Sequence, residues 1–436
     1  MSPSATLAVV SRDLVMSANI SPTVSTDPQT KSRIAANAVA SATNGHATSA
    51  DGVRAHVSVL DSVRGLAICL ILLFHFLPSY PTPDRILGLA KKLASTGWSG
   101  VDLVFVLSGL LITEILLRSR GRILAAREFY VRRFLRIMPL YLGSLLFVFG
   151  VLPFFVRSGA DPSFDTLRSY QGWYWALSAN IVCLLHGFPA MQSTTVDLGH
   201  FWVLAVIQQF YLLWPLLVWN VSERKLPGIA WAVIVLSLGL RVGGMCFLDG
   251  TLRENIFYQT PTCLDSFAIG SLVAVYLRRG NVAWLRRASL GILPVTTAII
   301  AVFFVKKGLW ENGIVHSVGL TLISFAYASL IVLLMTGSPT SLSVKLFDNL
   351  FLRFFGKYSY GVYVFHGLMI PLLDRWVPSD KPLDFLRWPV LSAAVCLVFK
   401  VGASLLVAML SWHLLEGPCL RLGTPQRLSA RNAVGG

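Results

Sequence analysis

The chain has 436 residues, of which 55% are hydrophobic and 13% charged, with a formal charge of +16 at pH 7. A typical soluble domain is about 25% charged, so this composition excludes one and requires a polytopic membrane protein. The positive charge does not point to nucleic acid, because Lys and Arg fall in short loops between apolar runs, where they set topology, rather than alternating with aromatic platforms.

Residues 1–57 are rich in Ser, Ala, Thr and Asn and have no apolar h-region after a basic start. They read as a disordered tail rather than a cleaved signal peptide. The six cysteines (Cys69, Cys183, Cys246, Cys263, Cys396 and Cys419) form no CxxC pair, which argues against a zinc site and a disulfide framework. No metal is expected.

Apolar runs long enough to cross a bilayer fall at 63–80, 98–117, 134–156, 200–220, 228–248, 261–278, 290–306, 314–336, 358–376 and 389–416. An eleventh candidate, 172–188, is short and opens with Trp173, Tyr174 and Trp175. If it does not cross and the N-terminus is cytoplasmic, the inside loops hold 18 Lys and Arg and the outside segments 11. If it crosses, the distribution inverts to 12 inside and 17 outside. The positive-inside rule therefore selects ten spans with both termini cytoplasmic, and makes 172–188 interfacial or re-entrant. The expected fold is an all-α polytopic membrane bundle of about ten transmembrane helices over residues 58–420. A short cytoplasmic tail, 421–436, follows.

Span 1 reads SVRGLAICLILLFHFLP and carries Arg64 and His75 eleven residues apart. Eleven steps of about 100° return to within about 20° of the start, so both side chains share one helix face. His75 then lies roughly 16 Å deeper than Arg64, near the middle of a hydrocarbon core about 30 Å thick. An ionised group there costs at least about 2.5–3.5 kcal/mol, which favours a reaction or translocation site. The structural alternative makes Arg64 a snorkelling anchor and His75 a packing residue.

Span 2 opens GWSGVDLVFVLSG, with Asp102 in its first turn and the small pair Ser108 and Gly109 allowing close helix approach. Asp102 suits either a helix-start carboxylate or a functional acid. In FYVRRFLRIMPLYL, Arg132 and Arg136 are four apart, hence adjacent on one face, with Pro139 and Tyr141 beyond. Two guanidiniums at one helix edge fit a polyphosphate such as a nucleotide or coenzyme; lipid headgroups are the bland alternative. His200, Gln209 and Tyr211 lie on span 4, Asp265 on span 6, His366 mid-span in span 9 and Glu416 at the end of span 10. Arg241 and Lys400 are further intramembrane charges with no evident partner. So many ionisable groups at depth suggest a polar cavity running from the cytoplasm toward the far face.

These motifs, in this order, resemble the acyltransferase-3 family, ten-span membrane acyltransferases that modify cell-surface glycans and other hydroxyl acceptors. The resemblance runs from about Leu60 to Arg421. It rests on Arg64 and His75, GVDLVFVLSG, RRFLRIMPLY, HFWVLAVIQQFYLLWP, LDSFAIG, YSYGVYVFH and LLEGP.

The resemblance implies a cytoplasmic acyl-CoA donor, acetyl-CoA in the first place, used as a co-substrate with no bound cofactor. It also implies a hydroxyl acceptor that is a glycan, lipid-linked or a small molecule. In this scheme His75 is the base, with Arg64, Asp102, His366 and Glu416 beside it. Arg64, Arg132, Arg136 and Tyr141 hold the donor, while His200, Gln209, Tyr211 and Asp265 meet the acceptor. An imidazole in low dielectric stays neutral at pH 7 and can take a proton from a hydroxyl; direct attack and an acyl-histidine both remain open.

Two departures stand out. The span-4 motif of the family is close to HxWSLSxExQFY, but Val203, Ala205 and Ile207 replace the two Ser and the Glu. Cys263 replaces an Arg two residues before the span-6 acid. Losing a carboxylate and an arginine together is consistent with a lost ion pair. After Arg421 about fifteen residues remain, so a protein handling the acceptor outside the cell is expected to be a separate chain. The competing readings are a transporter or flippase using the same cavity, and a catalytically degenerate member acting as a scaffold.

Overall fold

The structure, a computed structural model, describes residues 58–77, 82, 84–156, 159–307, 313–338, 340–379, 381, 383 and 388–422. The expected tail 1–57 lies outside the described residues, as does the expected C-terminal tail beyond its first two residues. The long helices are α1 Ser58–Phe76, α2 Gly100–Ser119, α3 Ala125–Leu145, α4 Phe201–Asn220 and α5 Leu226–Phe247. They continue with α6 Thr260–Arg278, α7 Val282–Lys307, α8 Leu320–Thr336, α9 Leu350–Trp376 and α10 Pro389–Ser411.

Nine helical stretches among the described residues are long and apolar enough to cross a membrane. Helix α9, at 27 residues, is about 40 Å long; Lys357, three tyrosines and His366 lower its apolar character. The protein is a multi-pass membrane helix bundle, as its composition requires. Residues 172–188 make no single helix: Gln171–Trp175 and Ala179–His186 are separate, broken where Leu177 takes φ 56°. Helices α3, α7 and α9 begin earlier than the apolar runs at 134, 290 and 358. An apolar run marks the lipid-embedded part, whereas the helix continues as far as its own backbone bonding holds.

Helix α6 is the spine, packing on α2, α4, α5 and α8. The span containing it has 78% of its apolar window buried, against 11% for the peripheral α7. Lipid tails are as apolar as Leu, so burial alone does not drive helices together in a membrane; small residues and interhelical hydrogen bonds must. Both are present. A Cβ on Gly109 would lie 2.0 Å from the Phe267 carbonyl oxygen, and one on Gly270 would lie 1.9 Å from that of Val106. Helices α2 and α6 therefore touch backbone to backbone.

A second reciprocal crossing joins α1 and α9. A Cβ on Gly65 would meet the Leu352 oxygen at 1.8 Å, and one on Gly356 the Asp61 oxygen at 1.9 Å. Polar ties reinforce the core: Thr113 donates to Ser271 at 2.8 Å, Trp214 Nε1 donates to Thr113 at 2.8 Å, and Ser266 meets Ser324 at 2.7 Å.

Gly270→Leu is expected to push α2 and α6 apart and lower the thermal midpoint of the detergent-purified protein by well over the few degrees of a tolerated substitution, an effect of at least about 1–3 kcal/mol. Gly239→Ala, on α5 where no atom lies within 4 Å of a new Cβ, is expected to leave that midpoint unchanged or slightly raised. Equal midpoints for the two variants would contradict backbone contact at the α2–α6 crossing.

Candidate functional site

Two cavities lie end to end in the bundle and share the wall residues Ile71, Val101, Val203 and Tyr363. The first, about 140 Å³, carries Arg64, Arg133 and Arg136 together with Gln208, Tyr211 and Tyr360. The second, about 240 Å³, carries His75, His200, Asp102, Asp197, Arg241 and a set of aromatic rings. Helix α1 serves both, with Arg64 in the arginine cavity and His75 in the histidine cavity, as one helix face with an eleven-residue spacing must.

In the arginine cavity Arg64 Nη1 donates to Asp61 Oδ1 at 2.5 Å, one turn back on the same helix. Arg133 lies over the Tyr211 ring, 5.5 Å from its centroid, and the Tyr211 hydroxyl is 3.5 Å from Ser108 Oγ. Among the described residues no carboxylate lines this cavity; three guanidiniums face it, with Asp61 paired to Arg64 and Glu416 behind the wall near Arg136. The arrangement suits a polyanion.

In the histidine cavity the ring of His75 lines the wall and is itself exposed, open to the cavity on one side and meeting His366 on the other. Its centroid is 5.0 Å from that of His366, which is 4.8 Å from that of His200. His366 Nδ1 is 2.6 Å from the Tyr363 oxygen and His200 Nε2 is 3.0 Å from the Val364 oxygen. Both therefore donate to backbone through those nitrogens, while His366 Nε2 has no hydrogen-bond partner among the described residues. His200 fits against α9 only because residue 367 is glycine, where a Cβ would lie 2.1 Å from His200 Nδ1.

Asp265 does not face either cavity; it is fully buried and held by Arg241. Arg241 Nη1 donates to Asp265 Oδ1 at 2.9 Å and Nη2 to Oδ2 at 2.5 Å, a bidentate pair. Its remaining N–H groups reach the Ser317 oxygen at 2.9 Å, the Thr262 oxygen and Thr321 Oγ1. Arg241, an intramembrane charge with no evident partner in the sequence, is thus paired from α5 to α6; positions 207 and 263 carry Ile207 and Cys263 and form no ion pair. Lys400 likewise pairs with Asp374 and Ser379.

Other expected site residues separate from the cavities. Arg132 points outward and pairs with Glu128 at 3.6 Å, while Arg133, three residues from Arg136, takes the place expected of it. Tyr141 is buried and donates to the Tyr174 oxygen at 2.7 Å. Gln209 donates to the Leu177 oxygen at 2.9 Å and Asn180 Oδ1 at 3.1 Å, and accepts from Thr260, tying α4 to the 171–186 segment. Glu416 lies behind the arginine cavity, accepting from Ser411 at 3.3 Å, and a Cβ on Gly361 would lie 3.2 Å from it. Asp102 does line the histidine cavity, with Ser266 Oγ at 3.4 Å.

Asp197 and Gln192 lie in no sequence motif, whereas Arg133, Gln208 and Tyr363 lie within motifs of spans 3, 4 and 9, and the three-residue step from Arg133 to Arg136 is as good a helix-face spacing as the four-residue step. Asp197 lies in a hairpin whose only ladder contact is the antiparallel bridge to Gln192. It accepts from Gly199 N at 2.6 Å and Gln192 Nε2 at 3.0 Å. Burial nevertheless pushes its carboxyl up to about 6.

The hairpin is fastened by Asp161, which accepts from Thr194 at 2.7 Å, Thr195 at 2.8 Å, Ser163 and the Phe164 amide. Burial acts to raise the Asp161 pKa, but these hydrogen bonds outweigh it and hold the group at about 2.

A family model described as Acyltransferase domain, Acyl_transf_3, matches residues 57–410. The chain is 26% identical over 398 residues to Peptidoglycan O-acetyltransferase OatA of Listeria monocytogenes, a match covering 85% of this chain and 57% of that protein. It is 24% identical over 380 residues to O-acetyltransferase OatA of Staphylococcus aureus, covering 84% and 57%. The chain therefore spans less than two thirds of the length of these relatives. No solved structure matches it.

Removing one partner of the Arg241–Asp265 pair strands a buried charge, so Arg241→Leu is expected to destabilise the fold by about 3–5 kcal/mol. The double variant Arg241→Leu with Asp265→Leu is expected to recover much of that loss in thermal unfolding; a double variant as unstable as the single one would contradict it. The raised Asp197 carboxyl works the other way. Its ionised form costs stability above pH about 6, and the cost disappears as pH falls toward the carboxylate's unfolded value near 4. Asp197→Asn is accordingly expected to raise the thermal midpoint at pH 7.5 and leave it unchanged at pH 4.5.

Proposed function

The chain belongs to the acyltransferase-3 family, and we propose that it moves a short acyl group from acyl-CoA, acetyl-CoA in the first place, to a hydroxyl of a glycan, glycolipid or other small acceptor. The observation that carries this reading is the pair of abutting cavities of opposite character. One is lined by three guanidiniums, the other by imidazoles and carboxylates, and a single helix places Arg64 in the first and His75 in the second. The relatives' names, which specify O-acetyl transfer and, for one, peptidoglycan, support the acyl group and a hydroxyl-bearing glycan acceptor.

In the proposed reaction the CoA phosphates sit against Arg64, Arg133 and Arg136 at the cytoplasmic end, and the pantetheine arm runs past Ile71, Val203 and Tyr363. The acceptor hydroxyl enters the histidine cavity. His75 takes its proton as the oxygen attacks the thioester carbonyl; the C–S bond then breaks, and the departing CoA sulfur receives a proton in turn. His366 and His200, packed in series behind His75, orient its ring. Arg64, neutralised in part by Asp61, keeps the donor's anionic end at the rim, so the thioester alone reaches the apolar junction.

The membrane orientation that serves this scheme is the one the loop charges favour, with both termini cytoplasmic. Solute movement through the same two cavities is the rival reading, since they share Ile71, Val101, Val203 and Tyr363 as a common wall; it requires flux without chemistry.

His75→Ala is expected to reduce acetyl transfer from radiolabelled acetyl-CoA by at least about 10²–10⁴-fold, the range for loss of a general base, with the thermal midpoint of the purified protein unchanged. Undiminished transfer by that variant would remove His75 from the chemistry. Solute flux into proteoliposomes without any acylated product would favour the transporter.

A further inference from the structure

The two cavities differ in charge, and the difference bears on the acceptor. Among the described lining residues of the histidine cavity the one Arg or Lys is Arg241, and its five N–H groups are all engaged by Asp265, Thr262, Ser317 and Thr321. It has none left for a ligand.

Two carboxylates face the same space, Asp102 from α2 and Asp197 from the hairpin. Neither forms an ion pair within 4 Å among the described residues. Asp197 is held by neutral donors, Gly199 N and Gln192 Nε2, and Asp102 accepts a long hydrogen bond from the hydroxyl of Ser266. The imidazoles His75, His200 and His316 carry no permanent charge. The ring faces of Trp98, Trp202 and Tyr258 complete a wall that is apolar and stacking.

We infer that the histidine cavity admits an uncharged or amine-bearing hydroxyl compound and rejects an acceptor that carries a carboxylate, sulfate or phosphate next to the reacting hydroxyl. An anion there would find no free cation and would stand beside the Asp197 carboxylate, where like charges repel. The opposite holds in the arginine cavity, so the two substrates are sorted by charge to opposite ends of the tunnel. Asp197 is the specificity-determining residue in this scheme, because its hairpin sits at the end of the cavity away from the arginines. The inference rests on the acyl-transfer reading for the word acceptor, but the charge of the cavity is measurable without catalysis.

Two measurements on the full-length purified protein in nanodiscs test it. In the first, methyl β-glucoside, methyl β-glucosaminide and methyl β-glucuronide serve as acceptors with radiolabelled acetyl-CoA. The neutral and amine-bearing sugars are expected to exceed the glucuronide in kcat/KM by about tenfold or more, and Asp197→Asn is expected to narrow the gap through KM. In the second, Cys263, which lines the cavity, is modified with methanethiosulfonates carrying either a trimethylammonium or a sulfonate group, with Cys263→Ser as background. The thiolate attacks the reagent's sulfur, releasing methanesulfinate and leaving a mixed disulfide.

The cationic reagent is expected to react about tenfold or more faster, and the ratio to fall in Asp197→Asn. A sulfonate reagent that reacts as fast, a glucuronide that is acylated as well as the glucoside, or failure of both reagents to reach Cys263 overturns the inference. Absence of transfer to every sugar with the cationic preference intact removes the acyl-transfer reading and leaves the charge of the cavity standing.

Discussion

An ionised side chain surrounded by hydrocarbon must be paired or must face water, and this requirement organises the protein more than any other. Arg241 and Asp265 are paired bidentately at 1% and 0% exposure, and Lys400 is paired with Asp374. The charges left over are the informative ones. Arg64, Arg133 and Arg136 gather at one cavity and Asp197 stands at the other. A bundle built only to hold itself together has no use for unlike charge gathered at two adjoining cavities.

The same path depends on helices that approach closely enough to seal it from lipid. The reciprocal glycine crossings of α1 with α9 and of α2 with α6 bring backbones into contact, fixing α1 against the helix that carries Tyr363 and His366. Gly367 then lets His200 at the start of α4 stack on His366, which in turn meets His75. Three imidazoles from three helices converge because three small or capping positions permit it. On the proposed function this row holds the reacting ring in place, with the rigidity of packed helices rather than of a loop.

Much of this was legible in the sequence, and for physical reasons. Composition demanded a membrane bundle, loop arginines kept 172–188 from counting as a span, and the helical period put Arg64 and His75 on one stripe. The order of short motifs pointed to the acyltransferase-3 family, to which residues 57–410 match. What stayed hidden was long-range. Nothing local to Arg241 says that Asp265, on the next long helix, will hold it. Arg132 and Arg133 are adjacent in sequence, and only the rotation of α3 about its axis, set by tertiary packing, decides that Arg133 faces the cavity and Arg132 pairs with Glu128. Gln209 and Tyr141 carry polar groups for the backbone of the 171–186 region, a structural need that no motif encodes.

The central claim is that a thioester approaching from the arginine end meets His75 at the junction of the two cavities. A cryo-electron microscopy structure of the protein with a non-hydrolysable acetyl-CoA analogue tests this most directly. The expected map shows phosphates against Arg64, Arg133 and Arg136, the pantetheine arm passing Ile71 and Tyr363, and the acetyl group within hydrogen-bonding reach of the His75 ring. An analogue whose phosphates lie instead in the histidine cavity beside Asp102 and Asp197, or whose acetyl group is remote from His75, would contradict it.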